Sequence, residues 1–186
     1  MNPELFDLLY QLEMRGQKEG LQIIHLDAAK LLLILAISNK AKIIVEIGTG
    51  VGYSTLWLAY AASLTGGKVI TCELEAARAA EARAHIEQAG LADRVQFLTG
   101  DARELLRHRD EPIDFVFIDG DYGQYETYFD VVYKRMGTGA TLVADDVVTD
   151  ENELADYSTY VQNHPNLDSA TVPVGNGLEI TVKIAE

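Results

Sequence analysis

Glu46-Ile47-Gly48-Thr49-Gly50-Val51-Gly52 decides the reading of this chain. It follows a short run of aliphatic and β-branched residues, Ile43–Ile47, and precedes a helix-forming stretch, Tyr53–Ser63. Alternate glycines at a strand-to-helix junction permit positive φ and let another group approach the backbone closely. The N–H groups of the following helix can face an anion. The spacing is G-x-G-x-G, without the third glycine where a dinucleotide fingerprint places it. On its own the loop is equally compatible with a tight βα turn.

Working outward, four more segments are short, apolar and rich in β-branched residues: Val69–Cys72, Val95–Leu98, Phe115–Ile118 and Thr141–Ala144. Such runs read as strands buried on both faces. Helical patterns lie between and after them at Glu75–Ala89 (with Gly90 to end it), Asp101–His108, Gln124–Met136 and Glu151–Asn163. Upstream, residues 3–18 and a helix through Ser38, capped by Asp27, complete the helices. The β-α alternation predicts an α/β fold, a parallel sheet with helices on both faces. The chain then changes pattern: Ser169–Val174 and Leu178–Ile184 are strands joined by Gly175-Asn176-Gly177, predicting an antiparallel hairpin. With 186 residues and no linker or repeat, a single domain over 1–186 is expected.

Polar residues sit where successive strands end. Glu73 stands at the end of the second strand, placed to accept from ribose hydroxyls. Asp101, after the third, is placed to accept from an adenine amino group or to cap the next helix. Ser54 opens the first of these helices and is suited to a carboxylate. Together they describe a nucleoside-bearing ligand along the carboxyl edge of the sheet, the alternative being surface and capping acids. The net charge of −14 argues against nucleic acid and against an anionic membrane. The single cysteine, Cys72, excludes an intrachain disulfide and a multi-cysteine zinc site. The longest apolar run, Leu31–Ile37, is far short of the ~20 residues of a membrane span. The N-terminus lacks a signal-peptide pattern, so a cytoplasmic protein is expected.

Glu46–Ser54 resembles motif I of the S-adenosylmethionine-dependent O-methyltransferases of the catechol and caffeoyl-CoA type. The resemblance continues through Ala89–Val95, Gly100-Asp101-Ala102, Ile113–Asp119, Leu142–Val147 and Pro173–Leu178. It implies a Rossmann-like class I methyltransferase fold with a seven-stranded, mostly parallel sheet. It implies S-adenosylmethionine held by Glu46, Gly48, Gly50, Gly52, Ser54, Glu73, Asp101, Ala102 and Asp119. It further implies a small phenolic or catechol-like acceptor and a homodimer.

Asp119, Asp145 and Asp146 follow neighbouring strands, so three carboxylates converge on one edge. Converging acids repel unless a cation or protons intervene. Oxygen-only ligation suits Mg²⁺, with Ca²⁺ or Mn²⁺ as alternatives. The other reading is three separate solvated or capping acids. In the resembled family these positions are two Asp and one Asn that hold the metal, and Asp146 stands in the Asn place. Tyr122 stands where the family has a Lys general base, although a free phenol is a poor base at neutral pH. Tyr122 is therefore read either as part of the catalytic set with Asp119 or as a loop aromatic, and His25 as a base near the acceptor or a loop histidine. Val147–Glu151 replaces an aromatic-bearing insertion of the family, which predicts a more open acceptor pocket. The departures keep a second reading alive, a protein that binds S-adenosylmethionine without transferring its methyl group. An NAD-linked oxidoreductase is the third, disfavoured by the glycine spacing and the terminal hairpin.

Overall fold

A computed structural model describes residues 3–185, with Glu151 described by its backbone alone. The chain runs α1 (Pro3–Glu19), α2 (Leu26–Ser38), β1 (Ile43–Ile47), α3 (Tyr53–Thr65), β2 (Lys68–Glu73), α4 (Ala76–Gln88), β3 (Val95–Thr99), α5 (Ala102–Arg107) and β4 (Ile113–Ile118). It continues as α6 (Tyr125–Tyr133), β5 (Met136–Ala144), α7 (Glu151–Gln162), β6 (Leu167–Val172) and β7 (Leu178–Lys183). Single 3₁₀ turns precede β3 and α6. The seven strands form one sheet in the order β3-β2-β1-β4-β5-β7-β6. β1 to β5 are parallel, and β7 pairs antiparallel with both β5 and β6. This is the α/β architecture with a terminal hairpin that the sequence predicts.

Alternation along the strands divides the core between the two faces. Ile44, Phe115, Phe117 and Val143 pack with α1 to α4, while Val45, Val116, Ile118 and Leu142 pack with α5 to α7. The Tyr122–Tyr133 stripe is mostly core: Tyr125 is buried and meets Tyr157 edge-on at 5.4 Å.

Three local expectations change. The helix drawn to Met136 ends at Tyr133, because Met136 already pairs with Ile113 and starts a β5 longer than Thr141–Ala144. The pairing slips between Ile113 and Phe115, and Gly137 and Gly139 lie in the irregular stretch opposite. The cap of α2 is His25, whose Nδ1 accepts the Asp27 N–H, while Asp27 lies in the first turn, where an acid complements the helix dipole. The hairpin loop is five residues, 173–177, rather than a tight Gly-Asn-Gly turn. Among the described residues no helix is long and apolar enough to cross a membrane.

Candidate active site

Strand order reverses between β1 and β4, and ligands of open α/β sheets bind at the carboxyl ends of the strands beside such a point. The ladder continues past the strand ends and fixes the functional segments. Gly100 N–H donates to the Glu73 carbonyl, Gly48 N–H to Cys72, Asp119 N–H to Ile47 and Asp145 N–H to Ile118, all at 2.8–3.0 Å. A cleft of about 770 Å³ opens above these four junctions. Gly48, Gly50, Ser54, Glu73, Asp101, Ala102, Asp119, Tyr122, Asp145 and Asp146 all line it. Glu46, Gly52 and His25 are not among the residues lining it.

The three glycines do different work. All have positive φ (97°, 53° and 88°). A Cβ on Gly48 would fall 1.8 Å from the Asp119 carbonyl oxygen, so this glycine makes room for the neighbouring strand's own backbone. Gly52 caps α3 against Ala82 of α4. Gly50 alone faces open space, and its N–H donates to Glu73 Oε2 at 2.8 Å. Glu73 Oε1 accepts the Glu75 N–H at 3.0 Å, so two backbone donors aim this carboxylate. Asp101 caps α5 by accepting the Arg103 N–H at 2.9 Å, and the Arg103 guanidinium forks onto both its oxygens. That fork holds the Asp101 carboxyl below its ordinary range. Arg103 Nη1 also reaches Gln124 Oε1 at 2.8 Å, bridging the cleft wall. Arg103 was invisible to motif reading; only the folded turn brings it onto Asp101.

Glu46 is fully buried beneath the glycine loop. Its Oε2 accepts from Thr55 of α3 and Thr71 of β2, both at 2.6 Å. Burial pushes its carboxyl up to about 7, against the pull of those hydroxyls. It braces the strand ends from below rather than lining the cleft.

At the other end, burial and then the charges of Asp145, Asp146 and Glu46 push the Asp119 carboxyl well above the usual carboxylate range. Burial, then Asp146, pushes Asp145 up to about 7. Asp146 takes φ +68°, and its oxygens are held by Tyr122 O–H (2.7 Å) and Asn176 Nδ2 (2.9 Å). Tyr122 also points at Asp150 Oδ2, 3.3 Å away. Burial and these acids raise the Tyr122 phenol further above its usual range, so it stands as a donor that keeps its proton. The sequence marks Asn176 as a turn residue within the Pro173–Leu178 resemblance and gives it no site role. It reaches the site because the hairpin folds back: its carbonyl accepts Val148 N–H and Thr149 N–H at 3.1 and 3.0 Å. Gly177 is obligatory here, since a Cβ would lie 2.3 Å from Val148 Cγ2.

Oxygen-only donors under mutual repulsion have the chemistry of a hard divalent cation site. Among the described residues no three His, Cys, Asp or Glu are already grouped as a metal cage, and both Asp146 oxygens are engaged by protein donors.

A methyltransferase-domain family matches residues 45–147, which contain the glycine loop, Glu73, Asp101 and the three acids. A catechol O-methyltransferase from Mycobacterium tuberculosis is 33% identical over 155 residues, covering 77% of this chain and 70% of that protein. The chain belongs to the S-adenosylmethionine-dependent O-methyltransferases. Another relative in this family, the catechol O-methyltransferase of Niastella koreensis, is 40% identical over 134 residues, covering 70% of this chain. The match spans 60% of that enzyme's length. The fold agrees with an O-methyltransferase from Bacillus cereus solved with S-adenosylhomocysteine: TM-score 0.83, 28% identity, covering 95% of this chain and 90% of that one.

Proposed function

We propose that the chain transfers the methyl group of S-adenosylmethionine to a hydroxyl of a small catechol-like or phenolic acceptor, with a divalent cation, Mg²⁺ first, held by Asp119, Asp145 and Asp146. The observation that carries this reading is the continuity of one cleft from Glu73 and Asp101 to the three acids. It gives a nucleoside end and a charged end a few strands apart on one sheet edge.

In this reading Gly50, Glu73, Asp101 and Ala102 bind the adenosyl portion, and Ser54 the carboxylate of the methionine portion. Glu73, aimed by Gly50 and Glu75, receives the ribose hydroxyls. When bound, a divalent cation supplies Lewis acidity that lowers the pKa of an acceptor hydroxyl. Tyr122 and Asn176 hold Asp146 in place and leave Asp119 and Asp145 facing the cleft. Joining a sulfonium and an oxyanion annihilates charge, so the residues contribute chiefly alignment, potentially ~7–11 kcal/mol for well-oriented reactants. Tyr122, protonated, acts as an orienting donor in this scheme, and His25 serves the α2 cap. The homodimer belongs to the same proposal: α1 leaves Phe6, Tyr10 and Met14 exposed one turn apart, a stripe suited to a second copy.

The test is calorimetry with S-adenosylmethionine, S-adenosylhomocysteine and NAD, followed by methyl transfer to a catechol panel with Mg²⁺ or EDTA. Binding of the adenosyl compounds, turnover with Mg²⁺ and loss of that turnover in Asp119→Ala are expected. NAD binding without S-adenosylmethionine binding refutes the reading. Donor binding without turnover on any acceptor favours the non-transferring alternative.

A further inference from the structure

We infer that Asp150 sets the charge preference of the acceptor, admitting uncharged or ammonium-bearing phenols and rejecting those that carry a carboxylate or phosphate. The inference rests on the transferase reading above and goes beyond it by naming a specificity residue.

Asp150 occupies the N-cap position of α7, where an Asp side chain ordinarily accepts an N–H from the first turn. It makes no such bond here. Its backbone instead accepts Glu153 and Leu154 N–H, and its Oδ2 turns to Tyr122 at the cleft. Tyr122's proton is committed to Asp146 at 2.7 Å, so the longer 3.3 Å approach leaves the Asp150 charge unneutralised.

The charges near it sharpen the point. A divalent cation and a net-positive sulfonium donor together balance the three charges of Asp119, Asp145 and Asp146. At this end of the cleft Asp150 then remains in excess, as Glu73 and Asp121 do elsewhere on its wall. Among the described residues lining the cleft there is no lysine or histidine. The two arginines, Arg78 and Arg103, pair with Glu75 and Asp101 at the adenosyl end. Around Asp150 are Asp146, whose carbonyl accepts the Asp150 N–H and whose carboxylate shares the Tyr122 hydroxyl, and the uncharged Thr149, Asn176 and Tyr122. An acceptor carboxylate there meets a like charge and no counter-ion, which is discrimination by repulsion.

Three acceptors share one 3,4-dihydroxyphenyl ring and carry substituents of different charge, the benzylamine, the benzyl alcohol and the benzoate; the electronic effect of the ring-bound carboxylate is the same in every variant and cancels when ratios are compared between them. Their kcat/KM values at low ionic strength should fall in that order, with the amine at least tenfold above the benzoate. Asp150→Asn should shrink the amine-to-benzoate ratio at least fivefold, through KM more than kcat. Asp150→Glu should keep it. Asp150→Ser restores an uncharged capping side chain, so it should shrink the ratio in a protein whose α7 start is intact. Raising KCl to 0.5 M should narrow the wild-type ratio. Calorimetric binding of the three compounds with S-adenosylhomocysteine present reads the same order without turnover. A benzoate preference, equal use of all three, or ratios in the Asn and Ser variants within twofold of wild type overturns the assignment. Failure of the wild type to bind S-adenosylhomocysteine refutes the underlying reading instead.

Discussion

Replacing Glu46 by Gln tests the idea that this residue is a buried brace whose charge the fold resists. The carboxyl titrates near 4.5 when solvated and is pushed up to about 7 in the folded protein, first of all by burial. The folded state therefore holds this proton more tightly than the unfolded chain does. The associated stability is fully present below pH 4.5, declines as the pH rises and is lost above about 7. At about 1.4 kcal/mol per pH unit, the whole window is worth about 3 kcal/mol. Gln keeps the shape and an oxygen to accept from Thr55 and Thr71, but it has no proton to lose. The variant should match wild type near pH 4.5 and exceed it by up to about 3 kcal/mol at pH 8, roughly 6–12 °C in melting temperature for a chain of this size. Asp119 and Asp145 rise in the same direction and steepen both curves, so the quantity to read is the difference between the two proteins. Urea unfolding from pH 4.5 to 8.5 in EDTA measures it. Parallel stability curves for wild type and Glu46→Gln would refute the reasoning.

Three further outcomes are expected. Gly48→Ala forces a Cβ to 1.8 Å from the Asp119 carbonyl, so it should displace the acid end and destabilise the fold by at least ~2 kcal/mol, read by urea unfolding. Glu73→Ala removes the acceptor aimed by Gly50 and Glu75 and should weaken S-adenosylhomocysteine binding about tenfold or more by calorimetry. Tyr122→Phe removes a donor to Asp146 but no base; kcat should fall by less than tenfold with the pH profile unmoved, and a hundredfold loss would make the phenol a catalytic group.

Much of this was legible in the sequence because parallel strands announce themselves. The segments around Ile44, Val69, Phe115 and Val143 are apolar on both faces, and their ends place the polar residues without further information; Val95–Leu98, expected to be buried as well, is the edge strand, with Gln96 exposed and Val95, Phe97 and Leu98 only half-buried. The first half of β5 was not legible, since Gly137, Thr138 and Gly139 resemble a loop and fall in the register shift between the Ile113–Met136 and Phe115–Thr141 pairs. Glu46 was legible as part of a motif, yet its depth was not, because Thr55 and Thr71 reach it from different elements. Arg103 and Asn176 gave no periodic or spacing signal: the first depends on a helix-cap geometry and the second on a hairpin folding back across the sheet edge.

The energetics of the acid end follow one logic. Glu46, Asp119 and Asp145 are all pushed upward, and burial is the first cause for each. Such groups make the ligand-free protein less stable as pH rises through neutrality. A core built for stability alone would replace these acids with apolar or amide side chains. Keeping three of them beneath and beside one cleft makes sense where a positively charged ligand reverses the sign. Anything binding the folded state alone stabilises it in proportion to the logarithm of its concentration over its dissociation constant. A cationic ligand gains additionally from every carboxylate that is already in its charged form. The stabilisation by S-adenosylmethionine should therefore exceed that by its uncharged-sulfur product at equal free concentration above pH 7. The two should converge as the pH falls and the acids take up protons, a comparison that thermal unfolding at pH 6 and 8 makes directly.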